Sequence, residues 1–157
     1  MTEAQSLLMM ANTNYRVVLR QVDGLTHEDT LIQPPYYGNC LNWVLGHIVS
    51  GRNRIHSLLQ LEPIWNDDDA AIYKRESQPL TAHDQPHFYL ERLLTDYGRS
   101  QEMVAEALTQ ATPEFLSEKI GDSSRGYSLT FFLWHEGYHV GQCDILRQVA
   151  GKNDKVI

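Results

Sequence analysis

Apolar residues recur along this chain at spacings of three and four, and the recurrence defines four helical stretches separated by segments in which it fails. The first runs from Thr2 through Leu7, Leu8, Ala11, Tyr15, Val18, Leu19 and Val22, with Thr2 placed to cap it and Gly24 to stop it. Between Leu25 and Gly38, the pair Pro34-Pro35 and Gly38 break helix and central strand alike, which predicts a connecting loop. A second helix is predicted over 39–61, with Asn39 as its cap and Trp43, Val44, His47, Ile48, Gly51, Ile55 and Leu58 along one side. Asp84, Gln85 and Pro86 supply a cap and an N-terminal proline for the third, whose face is Tyr89, Leu90, Leu93, Leu94, Tyr97, Val104 and Leu108; Pro113 closes it. The fourth is predicted from Ser128 to Ala150, stopped by Gly151.

The intervening segments read as connections. The acidic stretch Trp65-Asn66-Asp67-Asp68-Asp69, leading on to Pro79, is too irregular for a long helix and long enough to cross the molecule. Residues 113–127 carry two glycines and many turn formers, so a loop with a helical turn or short extended pieces is expected there. Four amphipathic helices without an alternating strand pattern predict an all-α fold, a four-helix bundle in which each apolar stripe is buried against the others. At 157 residues there is room for one domain, spanning 1–157.

Charge narrows the choice of partner. The formal net charge is −7 and the basic residues are scattered, whereas binding to nucleic acid needs a basic footprint that releases counterions. The two cysteines, Cys40 and Cys143, form neither a disulfide framework nor a CxxC pair, which fits a reducing cytoplasm. No segment reaches the ~20 apolar residues of a membrane span, so a cytoplasmic protein is expected.

The strongest chemical signal is His135-Glu136-Gly137-Tyr138-His139. Two histidines four apart lie on one helix face with Cβ atoms ~5–6 Å apart, so both imidazoles can reach one metal ion. Phe132, Cys143, Leu146 and Val149 continue that face as an apolar stripe, which turns the histidines inward. The same five residues match HExxH, in which the glutamate serves as general base toward a zinc-bound water. A metzincin would need Gly and His where Gln142 and Ile145 stand, and no later helix offers a third ligand, so a zinc hydrolase of that type is the weaker alternative. The third ligand must come from upstream, and His47 is the histidine on a helix interior face in an apolar frame. Three neutral imidazoles leave a position open for water or substrate, as in catalytic zinc sites. His27, His56, His83 and His87 are expected at the surface, and Cys143 as a reduced core residue. Asn12 and Asn14 are either polar supports for the site or solvent-facing, and Tyr36 and Tyr37 either rim a pocket or cover the core.

The stretch NCLNWVLGHIVSGRNR at 39–54, followed about ninety residues later by WHEGYHVGQ, resembles the DinB/YfiT-like family, as does the opening LLMMANTNYRVVLRQVDGL. The resemblance implies a four-helix bundle in up-down-down-up order, with a long crossover between helices two and three that agrees with residues 62–85. Counted at ~1.5 Å per residue, however, His47 and the HxxxH pair lie at depths that match most simply for parallel helices. The resemblance further implies metal ligation by His47, His135 and His139, with zinc or nickel as the ion. Relatives that transfer or use low-molecular-weight thiols imply a small-molecule substrate, possession of a metal-activated thiol or water, and a homodimer. In this reading Glu136 or a nearby polar residue assists proton transfer. The alternative from another class is a metal- or small-ligand-binding bundle without catalysis.

Overall fold

The computed structural model describes residues 1–81 and 85–154. Regular structure among them is helical apart from one two-stranded hairpin, so the all-α expectation holds. Helix α1 (Glu3–Val22) opens with a capping box: the Thr2 hydroxyl accepts from the Gln5 N–H at 3.2 Å while Gln5 Oε1 accepts from the Thr2 N–H at 2.9 Å. It ends just before Gly24, which takes the left-handed conformation (φ +71°) that a Cβ disfavours. A short helix α2 (His27–Thr30) follows, and then α3 (Leu41–Leu58), which starts after Cys40 rather than at Asn39.

The crossover is more ordered than the polar sequence suggested. It holds α4 (Asp67–Ala71), capped by Asn66, with three aspartates in its first turn where the helix dipole favours negative charge. The third long helix, α5 (Leu90–Gln110), begins later than Gln85 and Pro86 predict. The reason is that Gln85 is engaged in the loop, accepting from the Thr81 N–H at 2.6 Å and donating to the Pro79 carbonyl at 3.1 Å. The Phe88 N–H donates to the Tyr73 hydroxyl at 2.7 Å, which holds the entry extended. The expected cap Asp84, and His83 beside it, lie outside the described residues.

Next come α6 (Pro113–Ser117) and strands β1 (Lys119–Ile120) and β2 (Ser123–Ser124), paired antiparallel with Lys119 opposite Ser124. The last helix, α7 (Arg125–Val149), starts three residues before Ser128 because Ser124 caps it, accepting from the Tyr127 N–H at 3.1 Å. That extra turn carries Arg125, which donates to the Leu58 carbonyl at the end of α3 and to the Phe115 carbonyl at 3.1 Å. Arg147, near the other end of α7, likewise donates to the Gln21 and Asp23 carbonyls at the end of α1. Cationic side chains on one helix thus satisfy the orphan carbonyls of three others. No helix among the described residues is long and apolar enough to cross a membrane.

Helices α1 and α3 each pack on both α5 and α7. Their apolar faces form two clusters. One, around Val18, Trp43, Val49, Leu93, Val140 and Leu146, surrounds the histidine end of α3. The other, around Leu7, Ile55, Val104, Leu129 and Leu133, fills the far end. Between them lies a layer of buried polar residues that includes Arg52, Gln101 and Glu136.

Two glycines of α3 predict opposite outcomes. A Cβ at Gly46 would overlap the ring of buried Tyr73, whereas one at Gly51 would meet nothing within 4 Å. Gly46→Ala should therefore cost about 1–3 kcal/mol through overpacking. Gly51→Ala should be neutral or add up to about 1 kcal/mol from helix propensity. Urea unfolding of the two variants beside wild type checks the pair; equal effects would contradict the packing described.

Candidate metal centre

Helix α3 presents His47 and helix α7 presents His135 and His139, and one ring nitrogen from each lies within 4.8 Å of the other two. All three residues are half-buried. The Nε2 atoms of His135 and His139 are 3.3 Å apart, the separation expected of two ligands bound at ~2.0–2.1 Å in a tetrahedral site. Thus the structure brings together the three histidines that the spacing picked out.

Hydrogen bonds at the far side of the rings set the tautomers. His47 Nδ1 donates to the Tyr73 carbonyl at 2.7 Å, and His139 Nδ1 donates to Gln142 Oε1 at 2.7 Å. In each ring the proton is therefore at Nδ1, which leaves the Nε2 lone pair for a ligand; metal-binding histidines are usually held this way. The Trp43 indole stacks on His47, ring centroids 4.9 Å apart, and fixes its plane. Burial pushes the His139 imidazole down to about 4, against the opposing Gln142 hydrogen bond and aided by His47 and His135. Burial also lowers His135, with His47 and Arg75 adding to the effect. Both rings are neutral near pH 7, as ligation requires, and the donor set fits a divalent ion of borderline softness.

The cluster forms part of the wall of a cavity of about 740 Å³. Trp43, Tyr36, Tyr37 and Tyr138 contribute aromatic surface, and Arg75 is the one charged side chain other than histidine among the described lining residues. Tyr36 and Tyr37 thus belong to the pocket rim. A separate cavity of about 20 Å³ lies beneath the histidines, bounded by Gly51, Phe132 and Glu136 among others; it is about the size of one water molecule.

Glu136 lies away from the open pocket. Its carboxylate takes both Arg52 Nε and Arg52 Nη2, the latter at 2.8 Å, and accepts from the Tyr97 hydroxyl at 3.0 Å. Arg52 also donates to Gln101 Oε1 at 3.0 Å, and Gln101 Nε2 to Asn12 Oδ1 at 2.8 Å. Burial opposes the guanidinium's charge, but Glu136 and Tyr97 hold its pKa above the ordinary value. Three of the carboxylate's four lone-pair sites are thus engaged in the ion pair and with Tyr97, and Glu136 shares only the small cavity with the histidines.

Sequence reasoning missed this layer. Arg52 falls on the inward side of α3 between Ile48 and Ile55, a signal that was present but read only for apolar residues. It also misplaced His56, which is fully buried, not at the surface: its ring bonds the Glu62 carbonyl at 2.6 Å and the Ser100 hydroxyl at 2.8 Å. The crossover and α5 cover the face of α3 opposite His47, so that face is not solvated. His27 and His87 are half-buried against each other, Nε2 to Nε2 at 3.3 Å. Asn14 donates to the Leu133 carbonyl at 2.9 Å, so it supports α7. Cys143 is buried in the apolar core with its thiol pushed up to about 12 by burial.

The family model described as the DinB superfamily matches residues 11–143, a span that includes all three histidines. No curated protein matches the chain.

Two outcomes test the site's surroundings. Glu136→Gln leaves the buried Arg52 charge uncompensated and should cost about 3–5 kcal/mol, while Arg52→Met/Glu136→Leu, which removes both charges, should cost less; denaturant titrations of both variants decide. For pH, the folded His139 refuses a proton that the unfolded chain accepts near its ordinary ~6.5. Its contribution to stability is therefore complete above that pH and declines as pH falls toward about 4. Metal-free wild type should lose thermal stability across this window more steeply than His139→Gln; parallel curves would refute the assignment.

Proposed function

Because the chain belongs to the DinB superfamily, we propose that it is a divalent-metal enzyme acting on a small molecule. In this reading His47, His135 and His139 hold zinc or nickel, and the nucleophile is a low-molecular-weight thiol, as in an S-transferase, or water. The observation that carries it is the convergence of three imidazoles on one wall of a 740 Å³ pocket. Such a volume far exceeds what water alone requires and lies in the range of small-molecule sites, which favours a thiol and an electrophile together. A divalent ion held there supplies Lewis acidity, which brings a thiol's pKa well below its ordinary ~8.5.

The chain's own residues have separate tasks. The Tyr73 carbonyl and Gln142 orient His47 and His139. Trp43 and Tyr138 provide apolar walls that exclude water, and Arg75 favours a substrate with an anionic group. Glu136 contributes by position, since its pairing with Arg52 ties α7 to α3 within one residue of His135. Two buried free cysteines support the cytoplasmic reading.

We further infer the finer architecture to be the four-helix bundle in up-down-down-up order. Contacts between α3 and α7 support an antiparallel pair, since Arg52 meets Glu136 and Leu58 meets Arg125. Asn14 with Leu133 and Gln21 with Arg147 support parallel α1 and α7. Asn42 with Phe88 and Arg52 with Gln101 support parallel α3 and α5. The depth count that favoured parallel α3 and α7 measured α7 from its start. Measured from Val149, His139 lies ~15 Å from the helix end, which can meet the first turns of an antiparallel α3.

After identical zinc or nickel loading, elemental analysis should find near-stoichiometric metal in wild type and little in His47→Ala or His139→Ala. The loaded protein should then join an electrophilic test compound to at least one cellular thiol, and His135→Ala/His139→Ala should not. Metal retained by His47→Ala would break the triad; a full thiol panel without turnover would remove the transferase reading.

A further inference from the structure

We propose that a cavity at the far end of the molecule, away from the histidines, is a second binding site, which takes a small apolar molecule with a cationic head. The cavity has a volume of about 580 Å³ and is bounded by α5, by the residues that follow α3 and by α6. Its described lining shares no residue with the metal-site cavity. Leu59 there is buried, and Leu61, Ala107, Ala111 and Phe115 pack partly buried against the far apolar cluster, so the cavity opens onto the core itself. Ala107 and Ala111 stand one turn apart on α5 and leave the space that longer side chains would fill. A recess of this volume with mainly apolar walls is of the size that holds one small molecule.

The polar groups at the cavity select the charge of its occupant. Glu106 is the one charged side chain among the described lining residues, and no ion pair among the described residues engages it. The residues that adjoin the lining in sequence add Glu62, Glu102 and Glu114, and none of them is basic.

The end of α5 supplies an independent observation. A helix C-terminus carries the equivalent of about half a negative charge on its unbonded carbonyls. At the other long helices a cation stands against it. Arg147 donates to the Gln21 and Asp23 carbonyls that end α1, and Arg125 donates to the Leu58 carbonyl that ends α3. Arg147 itself occupies the last turn of α7. Helix α5 has no basic residue in its last turn, and Thr109, the hydroxyl there, turns back to the Ala105 carbonyl at 2.7 Å. Arg125 does not serve this end as well, because it lies 4.0 Å over the Phe115 ring and pairs with Glu118. The helix end that lacks a cation is therefore the one that borders the cavity, through Gln110 and Ala111. A ligand ammonium between Glu106 and the end of α5, one turn apart, would supply the missing charge while its apolar body lies against Ala107, Leu61 and Phe115. An anionic lipid surface is a poorer occupant, since its headgroups would meet Glu106 and the acidic residues around it.

Methionine methyl NMR of the metal-free full chain tests this, because Met103 lines the far cavity and no methionine lines the metal-site cavity. The probe is naphthylmethylammonium, with naphthylacetate and naphthalenemethanol as anionic and neutral bodies of similar size. The cation should shift the Met103 methyl resonance with a Kd near or below ~1 mM, while Met9 and Met10 on α1 stay in place. It should bind about 5- to 10-fold more tightly than either of the other two. Glu106→Lys, at an exposed position, should remove that preference, and Ala107→Leu should weaken binding of all three probes at least ~10-fold by filling the recess. Both variants should keep the helical circular dichroism of wild type; if Ala107→Leu does not, Glu106→Lys alone decides. An unmoved Met103 would overturn the site, and equal affinity for the three probes would overturn its cationic class. A Met103 resonance that moves with protein concentration alone would also overturn the proposal, since another copy of the chain would then cover the cavity.

Discussion

The Arg52–Glu136 pair is the constraint on which the site depends. Two charges in the middle of a core are expensive to desolvate, and their attraction compensates only when the geometry is good and the remaining donors and acceptors are met. Here Tyr97 donates to the carboxylate and Gln101 accepts from the guanidinium, whose Nη1 alone has no hydrogen-bond partner, and Gln101 passes the connection to Asn12. One network thus joins α3, α5, α7 and α1 at a single level. The apolar clusters above and below it can tolerate a shifted neighbour at modest cost, because a methyl group packs against many partners. A slip of one turn at the charged layer would leave a buried ion alone. Since His135 adjoins Glu136 and His47 precedes Arg52 by little more than one turn, the register that satisfies the charges is also the one that gathers the imidazoles.

The crossover performs a second task at the same place. The Tyr73 carbonyl determines which nitrogen of His47 is protonated, and Tyr73 reaches that position because its ring lies flat against the backbone of α3 at Gly46. Its hydroxyl donates to Asn42 Oδ1 at 3.1 Å and accepts from the Phe88 N–H, so the same residue fixes the entry to α5. One tyrosine therefore couples the ligand's tautomer to the path of the chain between α3 and α5.

This division explains what could be read from the residues alone. The four long helices and the three histidines were legible because helical periodicity is a local property: Leu7, Ala11 and Val18, or His135 and His139, share a face whatever surrounds them. The start of α5 was not, because Gln85 and Pro86 resemble a helix entry, and only contacts with Thr81, Pro79 and Tyr73 keep that segment out of the helix. His56 was misplaced, and Arg52 passed over, for a related reason. A polar residue on a helix implies solvent unless a distant segment covers it, and here the covering comes from the crossover and α5. Glu136 shows the limit of motifs: HExxH specifies a spacing, while the partner of the glutamate is a residue eighty-four positions away.

The electrostatics of the pocket run against those of the whole molecule. The chain carries a formal −7, yet no carboxylate is among the described residues that line the main cavity, and Arg75 is. Acidic side chains such as Asp67, Asp68 and Asp69 are instead placed along the crossover, and Glu136 is neutralised beneath the site by Arg52. A pocket wall without carboxylates does not compete with an incoming anion for the imidazole cluster, and the Glu136 charge beneath the site, which favours the imidazolium of His135, is outweighed by burial, His47 and Arg75. Burial is the largest cause that lowers the pKa values of His135 and His139, and a further carboxylate would oppose it by favouring the imidazolium. The absence of acidic side chains from the described pocket wall and the pairing of Glu136 with Arg52 therefore serve the same end, an imidazole cluster facing a cavity that admits negative charge.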